Sequence, residues 1–173
     1  MARPEPADWS RRLFDLLVEA GVTLFAYVPD AGNRALIDLA EAGNDTRAVL
    51  LASEQEGIAL AAGADLAGAR AVVCMQSSGV GNCPNMLSLV SGGRFPLLAI
   101  VTMRGDYGEM NPWQYPMGRA VGPVLEAMGV LSFRVDEPGD LEAAARAAVD
   151  AAWRGGQGTA LVLSQRFLGA KPF

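Results

Sequence analysis

Histidine is absent from all 173 residues of the chain. A Ser-His-Asp nucleophile relay and histidine metal sites are therefore excluded within this chain. Cysteine is scarce as well. Cys74 and Cys83 are the only two, they lack metal-type spacing, and they read as reduced thiols. No apolar run reaches the ~20 residues that a membrane-spanning helix needs. The N-terminus, MARPEPADWSRRLFDLL, has neither the apolar stretch nor the small-residue cleavage site of a signal peptide. A cytoplasmic protein with no membrane partner is expected. Basic residues are in the minority, 14 against 19 acidic ones, and the net charge of −5 argues against nucleic acid as a partner. What the chain does have is apolar residues, 51% of the total, which for one small domain implies apolar surface covered by a partner.

Apolar periodicity switches repeatedly between helix and strand. Helices are expected at Asp8–Ala20, Asn33–Ala42, Glu54 to about Ala67, Val80–Val90, after Gly118 to Met128, and at Asp140–Trp153. Strands are expected at Thr23–Val28, Arg47–Leu51, Ala71–Met75, Pro96–Thr102, Ser132–Val135 and Thr159–Leu163. Ser53 is expected to cap the third helix, with Glu56 completing a capping box. Near-continuous apolar strands alternating with helices imply a parallel sheet covered on both faces. The expected fold is three-layer α/β/α with a six-stranded, mainly parallel sheet in a single domain over residues 1–173. Ligands of such sheets bind beyond the carboxyl ends of the strands. The segments 29–33, 53–54, 77–82 and 103–118 all fall at that edge, which marks it as a candidate site.

Glu54 is the leading candidate. It is a first-turn glutamate, a position the helix dipole favours in any case. Gly57, Ala61 and Ala64 share its helix face, which therefore has no bulk and would admit a backbone or a flat ring. A carboxyl group withheld from water in such a crevice suits proton exchange with a heteroaromatic nitrogen. Gly79-Val80-Gly81 after a strand is either a plain tight turn or a close backbone approach to a ligand. A third glycine is missing, so it is not a dinucleotide fingerprint. It also lacks the Gly-Lys-Ser/Thr of a phosphate loop. Asn82 and Asn85 either cap the next helix or fix the loop. Asp30 is a turn residue, or a group for substrate contact or proton transfer. Arg104, Gln114 and Arg119 sit in or beside a long polar loop, where either arginine could grip an anion bidentately or simply face water.

Taken together, these segments resemble the pyrimidine-binding (PYR) domain of thiamine-diphosphate enzymes. The resemblance rests on Glu54 with Gly57, Ala61 and Gly63 at the third, seventh and ninth places after it, and on Ser78-Gly79-Val80-Gly81-Asn82 after the next strand. It is closest to the phosphonopyruvate and sulfopyruvate decarboxylases, in the N-terminal domain of the former and the alpha subunit of the latter. That subgroup likeness rests on Val28-Pro29-Asp30, Met75-Gln76-Ser77, Arg104-Gly105, Gly108-Glu109, Gln114 and Pro116-Met117-Gly118. The resemblance implies that Glu54 shares a proton with the cofactor's aminopyrimidine and so activates it. Glu54, Ser78, Gly79, Val80, Gly81 and Asn82 would contact the cofactor. Asp30, Gln76, Arg104, Gln114 and Arg119 would face a small anionic 2-oxoacid.

Two departures from the family pattern matter. Many relatives carry His immediately before the glutamate, where this chain has Ser53. The Gly-Asp-Gly…Asn signature of the diphosphate-binding (PP) domain is absent. The resemblance therefore implies a hetero-oligomer, in which a separate PP (beta) subunit holds Mg²⁺ and the cofactor's diphosphate. A carboligase or synthase subunit and a non-catalytic partner subunit are the alternatives. A free-standing nucleotide-binding domain is disfavoured by the missing phosphate loop.

Overall fold

The computed structural model describes residues 6–169, so both ends of the expected 1–173 domain and the first five residues of the N-terminus lie outside the described residues. Its elements run α1 (Pro6–Glu19), β1 (Val22–Tyr27), α2 (Arg34–Ala42), β2 (Arg47–Leu50), α3 (Glu54–Leu66), β3 (Arg70–Gln76) and α4 (Ser77–Val80). Then come α5 (Pro84–Gly93), β4 (Leu97–Thr102), α6 (Tyr115–Ala127), β5 (Leu131–Val135), α7 (Leu141–Trp153), β6 (Gly158–Leu163) and α8 (Gln165–Leu168). The six strands form one sheet in the order β2-β1-β3-β4-β6-β5, and every pairing is parallel.

Strand composition follows position in the sheet. The central strands β4 (LLAIVT) and β6 (GTALVL) are buried at every residue, because helices cover both of their faces. The edge strands β2 and β5 carry exposed Arg47 and Arg134, and charge at an edge discourages further strand pairing. One apolar layer joins the sheet to α1, α2, α7 and α8 through Trp9, Leu13, Phe25, Leu36, Leu141 and Phe167. The other joins it to α3, α5 and α6 through Ile58, Val73, Val80, Leu87, Val101 and Leu125.

Three expectations are corrected. The helix expected over Val80–Val90 starts later, at Pro84 of α5, and the turn expected before it holds a separate short helix, α4. α4 ends at Val80, and Pro84, in the first turn of α5, cannot donate the N–H that would continue the ladder. The loop of 104–118 is shorter than expected. A 3₁₀ turn occupies Pro112–Gln114 and α6 starts at Tyr115, since Pro116 falls in the first turn, where a missing N–H costs nothing. The capping box at Ser53 does not form. Ser53 makes no side-chain cap, and Glu56 Oε2 instead accepts from the Ala52 N–H at 2.8 Å.

The chain runs outward from β1 to β2 and resumes on the other side of β1 at β3. The carboxyl ends of β1 and β3 thus flank a topological switch point, where α/β sheets open a crevice.

Candidate active site

Glu54 opens α3 and is only 8% exposed. Its Oε2 accepts from Asn82 Nδ2 at 2.8 Å. No donor among the described residues reaches Oε1. Gly79 of α4 lies against the same side chain. A Cβ on Gly79 would stand 2.5 Å from both Cγ and Cδ of Glu54, and closer still to Oε1. The glycine is what lets the backbone of α4 lie against the carboxylate where it stands: a side chain here would have to displace Glu54. The Cys83 thiol donates to the Gly79 carbonyl at 3.3 Å and fixes the turn from behind. Gly81 is in close contact with Met117 of α6.

The small face of α3 has a different use from the one expected. Gly57 packs on β3, where a Cβ would stand 2.6 Å from Val73 Cγ1, and Ala61 and Ala64 are buried in the same layer. The sheet fills this face, so it leaves no crevice for a ring. The close approach to Glu54 comes from Gly79 instead.

A second polar cluster sits at the switch point. Asp30 Oδ1 accepts from the Gly32 N–H at 3.0 Å and from Gln76 Nε2 at 3.2 Å. Its Oδ2 accepts from the Asn33 N–H, Asn33 Nδ2 and the Thr102 hydroxyl. Five donors from β1, β3 and β4 ends thus converge on Asp30, which favours a holding role over contact with substrate. Gln76 passes the connection on, because its Oε1 accepts from the Ser78 hydroxyl at 3.1 Å. Asn33, buried at 1% exposure, also donates to the Met75 carbonyl. A pocket of about 340 Å³ opens here, lined by Asp30, Arg34, Asp38, Thr102 and Arg104 among others, and Glu54 is not part of its lining.

Of the remaining expected site residues, Ser78 is exposed at the rim of α4. The Val80 side chain is in the apolar core, so only its backbone is available to a ligand. Arg104 makes a bidentate pair with Glu109, Nε to Oε2 at 2.5 Å and Nη2 to Oε1 at 2.7 Å, with side chains 14% and 1% exposed. The Arg104 guanidinium holds the Glu109 carboxyl well below the usual carboxylate range, helped by the Asn111 N–H and Gln165 and opposed by burial. The pair carries no net charge, so Arg104 offers an anion oriented donors rather than a bare positive charge. Gln114 keeps a buried Oε1 without a hydrogen-bond partner among the described residues. Arg119 is exposed on α6, with no salt bridge among the described residues.

Sequence reasoning placed Ser77 and Glu109 in segments at this edge but gave them no role, and it missed Thr102 and Gln165 altogether. The one available signal was an acid set among glycines and aromatics, five residues after Arg104.

Thiamine diphosphate fits the Glu54 cluster by one local test. The buried carboxylate has one oxygen anchored by Asn82 and the other without a donor among the described residues, and the adjoining backbone at Gly79 carries no side chain. Among the described residues, no group of three His, Cys, Asp or Glu side chains is placed to hold a metal ion.

A comparison with protein families matches residues 8–117 to the N-terminal TPP binding domain of thiamine pyrophosphate enzymes. The chain belongs to that family. It is 36% identical over 124 residues to the sulfopyruvate decarboxylase subunit alpha of Methanothermobacter thermautotrophicus, covering 71% of this chain and 75% of the relative. It is 38% identical over 112 residues to the phosphonopyruvate decarboxylase of Streptomyces viridochromogenes, covering 64% of this chain but 28% of that longer protein. Among solved structures, the 2-oxoglutarate:ferredoxin oxidoreductase of Magnetococcus marinus superposes with a TM-score of 0.65 at 16% identity. The match covers 94% of this chain and 29% of that one and shows the α/β fold alone. As a thiamine pyrophosphate enzyme domain, the chain has thiamine diphosphate as its cofactor. No helix among the described residues is long and apolar enough to cross a membrane.

Proposed function

We propose that this chain is the PYR subunit of a two-subunit thiamine-diphosphate-dependent 2-oxoacid decarboxylase. The substrate is a small 2-oxoacid with a second anionic group, of the sulfopyruvate or phosphonopyruvate kind. A separate PP subunit holds Mg²⁺ and the cofactor's diphosphate, and the two chains form a hetero-oligomer in the cytoplasm. The observation that carries the reading is the buried Glu54 carboxylate, anchored by Asn82 and lying against a glycine that leaves it uncovered. The relatives' names support the decarboxylase class and, by the word subunit, a partner chain.

When bound, thiamine diphosphate supplies a carbon nucleophile and an electron sink for decarboxylation. Glu54 holds and moves a proton at Oε1, while Asn82 keeps Oε2 fixed. Ser78, Gly79, Val80 and Gly81 offer backbone and hydroxyl contact to the cofactor along α4. Gln76, oriented by Asp30, together with Arg104, Gln114 and Arg119, addresses the substrate side. Asp30 contributes by holding Gln76 and the strand ends in place.

The test is reconstitution. The chain is co-purified with the product of a neighbouring gene that carries Gly-Asp-Gly and a downstream Asn. Thiamine diphosphate and Mg²⁺ are added, and 2-oxoacids are screened for CO₂ release. A preference for sulfopyruvate or phosphonopyruvate over pyruvate, reduced by Arg104→Ala or Arg119→Ala, is expected. A preference for pyruvate that neither change alters would move the assignment to a neutral 2-oxoacid or a carboligase.

A further inference from the structure

Six donors converge on the single buried carboxylate of Glu109. Oε1 accepts from Arg104 Nη2 at 2.7 Å, the Asn111 N–H at 2.9 Å and the Met110 N–H at 3.1 Å. Oε2 accepts from Arg104 Nε at 2.5 Å, Gln165 Nε2 at 2.9 Å and the Gly105 N–H at 3.3 Å. With three donors on each oxygen and a side chain 1% exposed, Glu109 has no capacity left for a substrate or a proton relay. Its effect on a reaction has to be exerted through the groups that it holds.

Those groups lead to the Glu54 cluster. Arg104 and Gly105 follow β4 and form a node gripped from several sides. The Ser77 hydroxyl bridges the Arg104 backbone, accepting from its N–H at 3.0 Å and donating to its carbonyl at 3.1 Å. Ser77 is the first residue of α4, whose Gly79 lies against Glu54. On the far side, Gly118 of α6 lies on the same node, where a Cβ would stand 2.5 Å from the Arg104 carbonyl oxygen. Gln165 closes the ring. While its amide nitrogen donates to Glu109, its Oε1 accepts from the N–H groups of Asp106 and Tyr107.

We propose that Glu109 is a positioning residue for the Glu54 cluster: it locks the Arg104–Gly105 node, which through the Ser77 hydroxyl fixes α4 and so sets where Gly79 meets the Glu54 carboxylate. Its consequence for turnover rests on the proposed function, but its structural content does not.

The test is amide hydrogen exchange on the full chain, comparing wild type, Glu109→Gln, Ser77→Ala and the double variant. Glu109→Gln keeps the size but replaces acceptors with an NH₂ that opposes the guanidinium. Exchange is expected to accelerate at least about tenfold in residues 104–111 and also in residues 77–83, while β5 and α7 stay unchanged. In the double variant, residues 77–83 should exchange no faster than in Ser77→Ala alone, because both changes cut one connection. Acceleration confined to 104–111, or additive effects in 77–83, would overturn the proposal. Should Glu109→Gln fail to fold, Gln165→Leu, which removes one of the six donors, should give the same two-segment pattern more weakly. Acceleration confined to 104–111 in that variant would equally overturn it. In the reconstituted complex, Glu109→Gln should lower kcat at least about tenfold. A wild-type complex that releases no CO₂ from any 2-oxoacid would sink the functional reading and leave the exchange result standing.

Discussion

Replacing Gly79 by alanine separates the fold from the chemistry. The added Cβ would stand 2.5 Å from Glu54 Cγ and Cδ. Carbon atoms are comfortable at ~3.5–4 Å, so something has to move by about 1 Å. The three nearest atoms all belong to the Glu54 side chain, which can swing aside as a fixed backbone cannot. The fold therefore adjusts, and the cost belongs at the low end of the ~1–3 kcal/mol range for overpacking. For a chain of this length, that corresponds to a fall in Tm of about 2–4 °C. The adjustment moves the carboxylate, however, and breaks the 2.8 Å bond from Asn82. A displacement of ~1 Å in a reacting group costs about 10²-fold in rate. The expected outcome is a Tm within about 5 °C of wild type and a kcat lower by about 10²-fold. The assay is thermal unfolding by circular dichroism beside CO₂ release from the reconstituted complex. Turnover within threefold of wild type would refute the reasoning, since the carboxylate would then not be working where it lies. A Tm loss above about 10 °C would show instead that the obstacle is backbone.

Other outcomes follow from the same geometry. Gly63→Ala is the contrasting control. A Cβ there meets nothing within 4 Å, so the change should raise stability by about 0.5–1 kcal/mol through helix propensity, with turnover unchanged. Glu54→Gln, nearly isosteric, should cut turnover by about 10²-fold or more with Tm held, and turnover within a few-fold of wild type would exclude Glu54 as the proton carrier. The Glu109 carboxyl is held low, chiefly by Arg104, so its contribution to stability is complete above the unfolded glutamate pKa of about 4.3 and is lost only as pH falls towards the folded value. The Tm difference between wild type and Glu109→Gln should therefore be flat from about pH 8 to pH 5 and narrow only below about pH 4, and a difference that closes between pH 5 and 7 would contradict the ion-pair account. Burial pushes the Cys83 thiol up to about 12, with Glu54 adding to it, and burial raises Cys74 further. Neither thiol should react with an aromatic disulfide reagent at pH 8 in the native chain, and both should after denaturation; stoichiometric labelling of the native form would show that the turn around Cys83 opens.

The fold was legible because its information is local. Runs such as LLAIVT and TALVL, apolar throughout and alternating with helices, point to a parallel sheet covered on both faces. The errors were also local, but they came from competing signals. Val80–Val90 has a helical apolar pattern, yet the helix starts only at Pro84. Pro116 looks like a loop residue, yet it falls in the first turn of α6.

The site was legible only where its chemistry sits at an element boundary. Glu54 announces itself at a helix start, and Gly79 announces a close approach, but nothing in the sequence says that the two approach each other rather than a shared ligand. Their meeting depends on where α3 and α4 begin, directly after β2 and β3, the two strands that flank β1. Asp30 and Arg104 show the other side of the same difficulty. Both are charged residues at strand ends, where an exposed side chain would serve a substrate. Whether such a group is available is decided by the donors and acceptors that reach it. For Asp30 these include Gln76 and Thr102, 46 and 72 residues away, and for the ring around Glu109 they include Gln165, 56 residues away. Partnering over such distances is set by strand order. In the order β2-β1-β3-β4-β6-β5, the ends of β1, β3, β4 and β6 are neighbours although the chain visits them far apart. Asp30, Gln76, Thr102, Arg104 and Gln165 all stand within three residues of those ends. Had the strand order been written beside the sequence, their convergence would have followed from it. Their division of labour still follows from hydrogen-bond saturation: the occupied carboxylates Asp30 and Glu109 hold the edge together, which leaves Glu54 as the acid with an oxygen to spare.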